Sequence, residues 1–336
     1  MFRWECTTFI FMESTMTHES EHIPVLRNEV IEYLNPQDGN TYVDATFGGG
    51  GYSRAIFEHA ANSRVLAIDR DPAAFERAKP FVNKYGAHFS FFLTNFARIA
   101  EVLVEHDYSG VVFDFGVSSF QLEDGERGFS FQNDGPLDMR MDGANGAPQI
   151  IGQAPKLTAG ELVNTYAESD LARIINVYGD EPYAKKISNA IVRRRRERPI
   201  NTTFELAEII RSVVRHAGAI DPATKTFQAL RIFINDELRE IQTALDSIVK
   251  DVAARQLQQI SVITVSFHSL EDRIVKNWWM SNKRHEPSYV PNSQEYTVTI
   301  TSLHHHVIMP SADELRTNPR SRSARMRAFS LSFKKP

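Results

Sequence analysis

The stretch Tyr42-Val43-Asp44-Ala45-Thr46-Phe47-Gly48-Gly49-Gly50-Gly51-Tyr52-Ser53 decides how the chain is read. An apolar run ending in an acid enters four consecutive glycines, and a helix-like stretch at 54–60 follows. Glycine lets the backbone turn sharply and approach a ligand with no side chain between them. A second apolar run, Arg64-Val65-Leu66-Ala67-Ile68, closes on Asp69, eighteen positions after Gly51. A carboxylate at about that separation accepts hydrogen bonds from ribose hydroxyls. The pattern predicts the first βαβ unit of a nucleoside-binding α/β fold rather than a glycine-rich surface loop.

The acids narrow the nucleoside. Gly48 and Gly50 fit the dinucleotide pattern Gly-x-Gly-x-x-Gly, but Ser53 takes its third place. Asp44, Asp69 and Asp114 all fall where predicted strands end, around one crevice. Three carboxylates repel a pyrophosphate and suit the ammonium, sulfonium and ribose of S-adenosylmethionine.

Composition sets outer bounds. With 336 residues the chain holds two domains, or one with a large insertion, and 42% hydrophobic residues suffice for a sizeable core. The net charge of −4 means that any nucleic-acid contact comes from local basic patches. The single cysteine, Cys6, excludes a disulfide framework and a cysteine metal cluster. No apolar run is long enough to span a membrane, so a reducing, aqueous compartment is expected.

Residues 1–20 are expected to be dispensable, with Met12 or Met16 as the alternative start. Glu13, Glu19 and Glu21 argue against a mitochondrial presequence. Strands at 41–46, 65–69, 88–93 and 111–115 alternate with helices, one opening at Asp71-Pro72. The third strand leads to Phe96, placed either to stack on an adenine ring or to pack in the core. The fourth ends Asp114-Phe115-Gly116-Val117-Ser118-Ser119. Asp-Phe-Gly also occurs at kinase metal sites, but the His-Arg-Asp loop and strand lysine found with it there are missing.

Residues 125–148 are rich in glycine and charge, and connections of this length are often functional. From 157 to 218 the pattern is helical. Helix heads fall at Thr158, with Glu161 completing a capping box, at Ser169-Asp170, at Asp180-Glu181-Pro182 and at Thr202-Thr203. The third of these helices ends in Arg193, Arg194, Arg195 and Arg196. They read either as a solvated helix end that complements the dipole or as a phosphate contact, and so dense a cluster favours the second. A long helix begins at Thr226, with Leu230, Phe233, Ile234, Leu238, Ile241 and Leu245 at helical spacing. A β-branched strand at 260–267 then leads into His268-Ser269-Leu270-Glu271-Asp272, and 283–323 reads as irregular. His304-His305-His306 has no spaced acid or cysteine partner, so no metal site is expected. The domain division is 21–121 and 226–336 for the core, with an all-helical insertion at 122–225.

Together these segments resemble the MraW family of ribosomal RNA small-subunit methyltransferases. The likeness runs from His22 to about Arg327. Its motifs include Val43 through the four glycines, Ala67-Ile68-Asp69-Arg70-Asp71-Pro72, Glu126-Arg127-Gly128-Phe129-Ser130-Phe131 and Asn318-Pro319-Arg320-Ser321-Arg322. The resemblance implies a Rossmann-like S-adenosylmethionine-dependent methyltransferase core with an inserted all-helical domain. It implies S-adenosylmethionine as cofactor and methylation of the exocyclic N4 of one cytosine in the decoding region of 16S rRNA. It implies a cytoplasmic bacterial enzyme whose partner is 16S rRNA or the small ribosomal subunit, with no membrane. Monomer and homodimer both stay open. By position, the donor contacts fall on Gly50, Gly51, Tyr52, Asp69, Phe96, Asp114 and Gln121. The chain departs from the family in Tyr52, usually histidine, and Phe120, usually proline; Tyr52 keeps a hydrogen-bond donor. Retention of every strand-end acid argues against an NAD-dependent enzyme and against a non-catalytic RNA-binding factor on the same fold.

Methyl transfer needs in-line alignment and exclusion of water. A cytosine amine is a poor nucleophile, and an acceptor for one of its hydrogens helps the nitrogen rehybridise and lose its proton. The aspartate-proline-proline-aromatic turn used by many amine methyltransferases is replaced by Asp114-Phe115-Gly116-Val117. The catalytic candidates are therefore Asp138 and Asp142 from the run Asp138-Met139-Arg140-Met141-Asp142, with His268 and Asp272 behind them. In an extended segment alternate positions share a side, which puts Asp138 at the crevice mouth. The competing reading of the run is a structural ion-pair loop around Arg140. Phe129 and Phe131 either stack on an unstacked base or pack in a core.

Overall fold

The computed structural model describes residues 23–143, 156–215, 220–283 and 297–334. The expectations for residues 1–20, and the end of the glycine-rich connection at 144–148, fall outside them. Seven strands form one sheet: β1 (Thr41–Asp44), β2 (Arg64–Asp69), β3 (Phe89–Leu93), β4 (Gly110–Asp114), β5 (Ile260–Ser266), β6 (Thr297–Ser302) and β7 (Arg325–Lys334). Their order is β3-β2-β1-β4-β5-β7-β6. The first five run parallel, and β7 lies antiparallel between β5 and β6. The order reverses between β1 and β4, and ligands of such sheets bind in the crevice at that switch.

Alternation along each strand feeds both faces of the sheet. Tyr42, Val65, Ala67 and Ile263 pack under the helices Arg27–Leu34, Gly51–His59 and Pro72–Tyr85. Val43, Leu66, Ile68 and Val262 face the helices Ile99–Leu103, Glu237–Arg255 and Ser269–Lys283. Strands covered on both faces are buried at nearly every position, as β5 is, Thr264 and Ser266 included. Each fully buried large side chain contributes about 1.5–3 kcal/mol. The segment 283–323 is more ordered than its composition implies: β6 and the helix Ala312–Thr317 lie within it.

A third core belongs to the helical insertion. Thr158 with Glu161 forms the expected reciprocal cap, and Thr202, an expected helix head, forms another with Glu205. The other two heads are misplaced by sequence. Those helices run Glu168–Gly179 and Ala184–Glu197, with no side-chain cap on either. The helix expected to run unbroken from Thr226 is two helices, Ala223–Asn235 and Glu237–Arg255, divided by Asp236 in a left-handed conformation (φ 55°). Ala223, Phe227, Leu230 and Ile234, on the helix that crosses the expected boundary at 225, pack in the same core as the helices of the insertion.

At the break stands Asn235, which is wholly buried. Its amide donates to the Met139 carbonyl at 2.7 Å and the Arg231 carbonyl at 3.0 Å, and its oxygen accepts from the Met141 N–H at 2.9 Å. It therefore pins the strap 139–141 to the junction of the two units. Asn235→Ala takes the side-chain partner from the Met139 carbonyl and the Met141 N–H in a dry interior. The expected loss is about 2–4 kcal/mol of unfolding free energy, measured by urea denaturation; a loss under about 1 kcal/mol shows that the strap is held elsewhere.

Candidate active site

The glycine turn between β1 and its helix is forced by crowding. Gly48 and Gly50 have φ of 55° and 78°. A Cβ on Gly49 would stand 2.6 Å from the Phe120 ring, and one on Gly50 would stand 2.7 Å from Phe47. Asp44 is buried beneath the turn and accepts from Ser53 Oγ at 2.7 Å and the Ser53 N–H at 3.1 Å. Burial pushes its carboxyl up to about 6, against the pull of those bonds. Asp69 accepts from the Gly48 N–H at 2.7 Å and the Asp71 N–H at 2.8 Å, so it fixes both ends of the loops beside it. Asp71 caps the helix Pro72–Tyr85 and receives Gln121 Nε2 at 3.0 Å and Arg127 Nη1 at 2.9 Å.

These groups surround a cavity of about 360 Å³ at the switch point of the sheet, within the usual size range for small-molecule sites. Of the seven expected donor contacts, Gly51, Tyr52, Asp69, Phe96, Asp114 and Gln121 lie on its wall, and Gly50 does not. Tyr52 presents its ring only: it is buried, and its hydroxyl donates to the Val25 carbonyl at 2.5 Å. The donor expected of it is thus committed to the chain. Gln121 is similarly engaged, since its oxygen accepts the Ser118 N–H at 3.0 Å in a capping box.

Asp114 differs from its neighbours. Its Oδ1 is buried with no hydrogen-bond partner among the described residues. Burial, then the charges of Asp44 and Glu271, push its carboxyl well above the usual carboxylate value. Asp114 as a whole is only half-buried and lines the cavity, so a cationic ligand there stabilises its ionised form, whereas a phosphate would raise its proton affinity further. The donor set therefore fits a cationic nucleoside.

The catalytic candidates lie elsewhere than expected. Asp138 is not on this wall. It pairs with Arg140 through Nε at 2.8 Å and Nη2 at 2.5 Å, beside a separate surface depression that includes Gly160 and Glu161. Met139 has φ 61°, which breaks the extended alternation, and both Met139 and Met141 are buried. The structural ion-pair reading of the run is the one this geometry matches. Asp142 pairs with Arg70 and with Lys156 at 3.2 Å. Burial raises its proton affinity, but these two cations outweigh it and hold the carboxyl below its ordinary value. His268 Nε2 lies 3.1 Å from Glu271 Oε1, off the wall, and Asp272 receives Arg327 Nε at 2.7 Å. Phe129 is buried and Phe131 packs edge-on to Phe227 at 4.9 Å, so both are core residues of the helical unit rather than base-stacking groups. Among the four arginines, Arg195 turns inward to the Val163 carbonyl at 2.8 Å and Arg194 meets Glu197 at 3.3 Å, leaving Arg193 and Arg196 exposed. His304, His305 and His306 are exposed.

Sequence reading missed a buried polar junction behind the wall. Arg70 Nη1 meets Glu240 at 2.6 Å, Asn95 also donates to Glu240, and Arg231 Nε meets Glu237 at 2.8 Å. A signal was present: Glu237 and Glu240 share the stripe that buries Ile241, Ala244 and Ile248.

Comparison with known proteins matches the description "MraW methylase family" across residues 19–332. The chain belongs to the MraW methylase family. "Ribosomal RNA small subunit methyltransferase H" of Rickettsia massiliae is 43% identical over 318 residues, covering 91% of this chain and 97% of that protein. The Ehrlichia chaffeensis protein of the same name is 44% identical over 313 residues, covering 92% and 99%. That of Granulibacter bethesdensis is 43% identical, covering 92% and 90%.

Two outcomes follow from this geometry. Asp44, at about 6, binds its proton more tightly folded than unfolded. Its contribution to stability is complete below the ordinary carboxylate value and is lost as pH rises through about 6. Melting temperature should therefore fall between about pH 4 and 6.5 by more in the wild type than in Asp44→Asn; equal slopes would remove Asp44 as the source. Asp138→Asn should cost about 2–3 kcal/mol in urea denaturation by leaving Arg140 short of its charge partner, with S-adenosylmethionine affinity unchanged. Full stability combined with lost methyl transfer would return Asp138 to the reaction.

Proposed function

We propose that the chain methylates the exocyclic N4 amine of one cytosine in the decoding region of small-subunit rRNA, using S-adenosylmethionine. The reading is supported by family membership across nearly the whole chain and by relatives named as small-subunit rRNA methyltransferases. The observation that carries it is the unpartnered Asp114 carboxylate on the wall of a cavity built at the sheet's switch point.

Bound S-adenosylmethionine supplies an electrophilic methyl group on a sulfonium. The chain's part is to bind, align and exclude water. Asp69 retains lone pairs for the ribose hydroxyls while its two backbone contacts hold it still. Phe96 offers an aromatic wall for the adenine. Asp114 takes the place first given to Asp138. It lines the cavity, and once a bound cationic donor has lowered its raised proton affinity its carboxylate is placed to accept a hydrogen of the target amine and to take that proton as the nitrogen is alkylated. Asp142 serves by holding Arg70, and His268 by its contact with Glu271. Arg193 and Arg196 offer exposed charge to RNA phosphates, on rRNA alone or in the small subunit. No described helix is long and apolar enough to cross a membrane, and a bacterial cytoplasm is the setting this reading assigns.

Calorimetry should detect binding of S-adenosylmethionine and none of NAD, and Asp69→Ala should lose about 1–3 kcal/mol of that affinity. Mapping methylated cytosines in rRNA from cells with and without the gene should show one site lost with the gene. An unchanged rRNA map defeats the reading, and NAD binding in place of S-adenosylmethionine defeats the cofactor assignment.

A further inference from the structure

Three arginines lie on the cavity wall. Arg70 and Arg231 are held among acids behind it. Arg320 is different: its side chain is 43% exposed, and its partner Glu123, at 2.6 Å, is 65% exposed. We propose that Arg320 is a phosphate clamp at the mouth of the cavity, with Glu123 holding its place until a phosphodiester of the substrate RNA displaces it. The inference rests on the rRNA reading given above.

The backbone that carries Arg320 is fixed, so the side chain is aimed rather than loose. Pro319–Ser323 is a 3-10 turn. Ser321 is fully buried and donates to the Asn318 carbonyl at 2.7 Å, and Asn318 Nδ2 donates to the Ile23 carbonyl at 3.2 Å. Ala324 is buried as well, while Arg320 and Arg322 point to solvent. The turn therefore hangs on the segment of Pro24 and Val25, which lines the same cavity. Glu123 comes from the opposite side, at the end of the helix Ser119–Glu123 that follows β4. The pair thus bridges two walls of the entrance.

An exposed arginine–glutamate pair is weak and exchanges readily. A guanidinium forms stronger, two-pronged bonds with a phosphate, and phosphate contacts set register without reading sequence. A cytosine that reaches an enclosed donor has to leave its stack, which brings its flanking phosphates to the rim of the pocket. Arg320 is the exposed cation of the wall, which it shares with the half-buried acids Asp69 and Asp114. The chemistry at the rim thus matches an RNA backbone, as the chemistry within matches a cationic donor. The donor's own carboxylate is the other anion within reach, and it makes a different prediction.

The test uses the full chain, a small-subunit rRNA transcript and assembled small subunits. Arg320→Ala should raise KM for RNA about 10-fold, lower the salt slope of RNA binding by about one counterion, and leave melting temperature and S-adenosylmethionine affinity unchanged. Arg320→Lys should restore part of the loss. Glu123→Gln removes the competitor, so it should lower KM for RNA about 2-fold or more with kcat unchanged, an outcome a merely structural pair does not produce. Wild-type KM and salt slope in Arg320→Ala overturn the proposal. So does a matching loss of S-adenosylmethionine affinity, which assigns Arg320 to the donor carboxylate. RNA affinity measured without turnover reads the clamp even where methylation is absent, so failure of the rRNA methylation reading is told apart from failure of the clamp.

Discussion

Asp44, Asp69 and Asp114 are packed at the C-terminal ends of β1, β2 and β4, three neighbouring strands of one sheet. Like charges buried together are costly unless each finds donors. Asp44 finds them in Ser53, near the N-terminus of the next helix, where the dipole also favours an anion. That contact demands the tight glycine turn, because only a chain with left-handed residues at Gly48 and Gly50 brings Ser53 back over β1. Asp69 finds two backbone N–H groups, one from the same turn and one from the head of the next helix. Asp114 finds none for its Oδ1. The unfavourable electrostatics falls most heavily on Asp114, whose proton affinity is raised the most plainly of the three, and a cationic ligand in the cavity that it lines relieves it.

The helical unit is tied to this arrangement by ion pairs as well as by apolar contact. Arg127 reaches Asp71, and Arg70 reaches both Asp142 and Glu240. Replacing such buried pairs by apolar residues is often neutral for stability, whereas breaking one is costly. Their effect here is geometric: Arg127 and Asp71 fix the loop after the helix Ser119–Glu123, and Arg70 fixes the strap that Asn235 holds from the other side. Met141 on that strap forms part of the cavity wall, so the shape of the site depends on how the two units meet.

The parts legible in the sequence are those whose chemistry is local. The glycine turn, the acid at the end of β2, the Asp71 cap and the two reciprocal caps each need only a few adjacent residues, and each stands where its motif puts it. The misreadings share a different origin. Asp138 was placed by assuming an extended strap, and a left-handed Met139 turned it away. The break at Asp236 was invisible because the apolar stripe runs through it; only the long-range bonds of Asn235 reveal it. Phe129 and Phe131 carry no mark that separates a core ring from a stacking one. Glu240 was passed over because an acid on a helix is usually solvated, although its spacing relative to Ile241 and Ala244 placed it inside.

The sign of charge changes between the floor of the cavity and its rim. Acids dominate below, where Asp69, Asp71 and Asp114 stand on the wall, and the exposed Arg320 stands at the entrance with Arg322 beside it. A chain with a net charge of −4 repels RNA at long range, so attraction has to be local and close to the reacting base. A reaction that joins a cationic donor to one base of a polyanion needs this polarity: acids buried deep enough not to repel the backbone, and cations exposed enough to meet it. The glycine turn satisfies the first condition by drawing Asp44 and Asp69 beneath the chain. The C-terminal turn satisfies the second by holding its arginines outward on a buried serine and alanine. The two turns lie far apart in sequence, and the segment of Pro24 and Val25 touches both: Pro24 packs against Gly51, and the preceding Ile23 carbonyl holds Asn318. The glycine turn and the C-terminal turn thus share one short strap, which sets where the acids of the cavity and the arginines at its edge stand relative to each other.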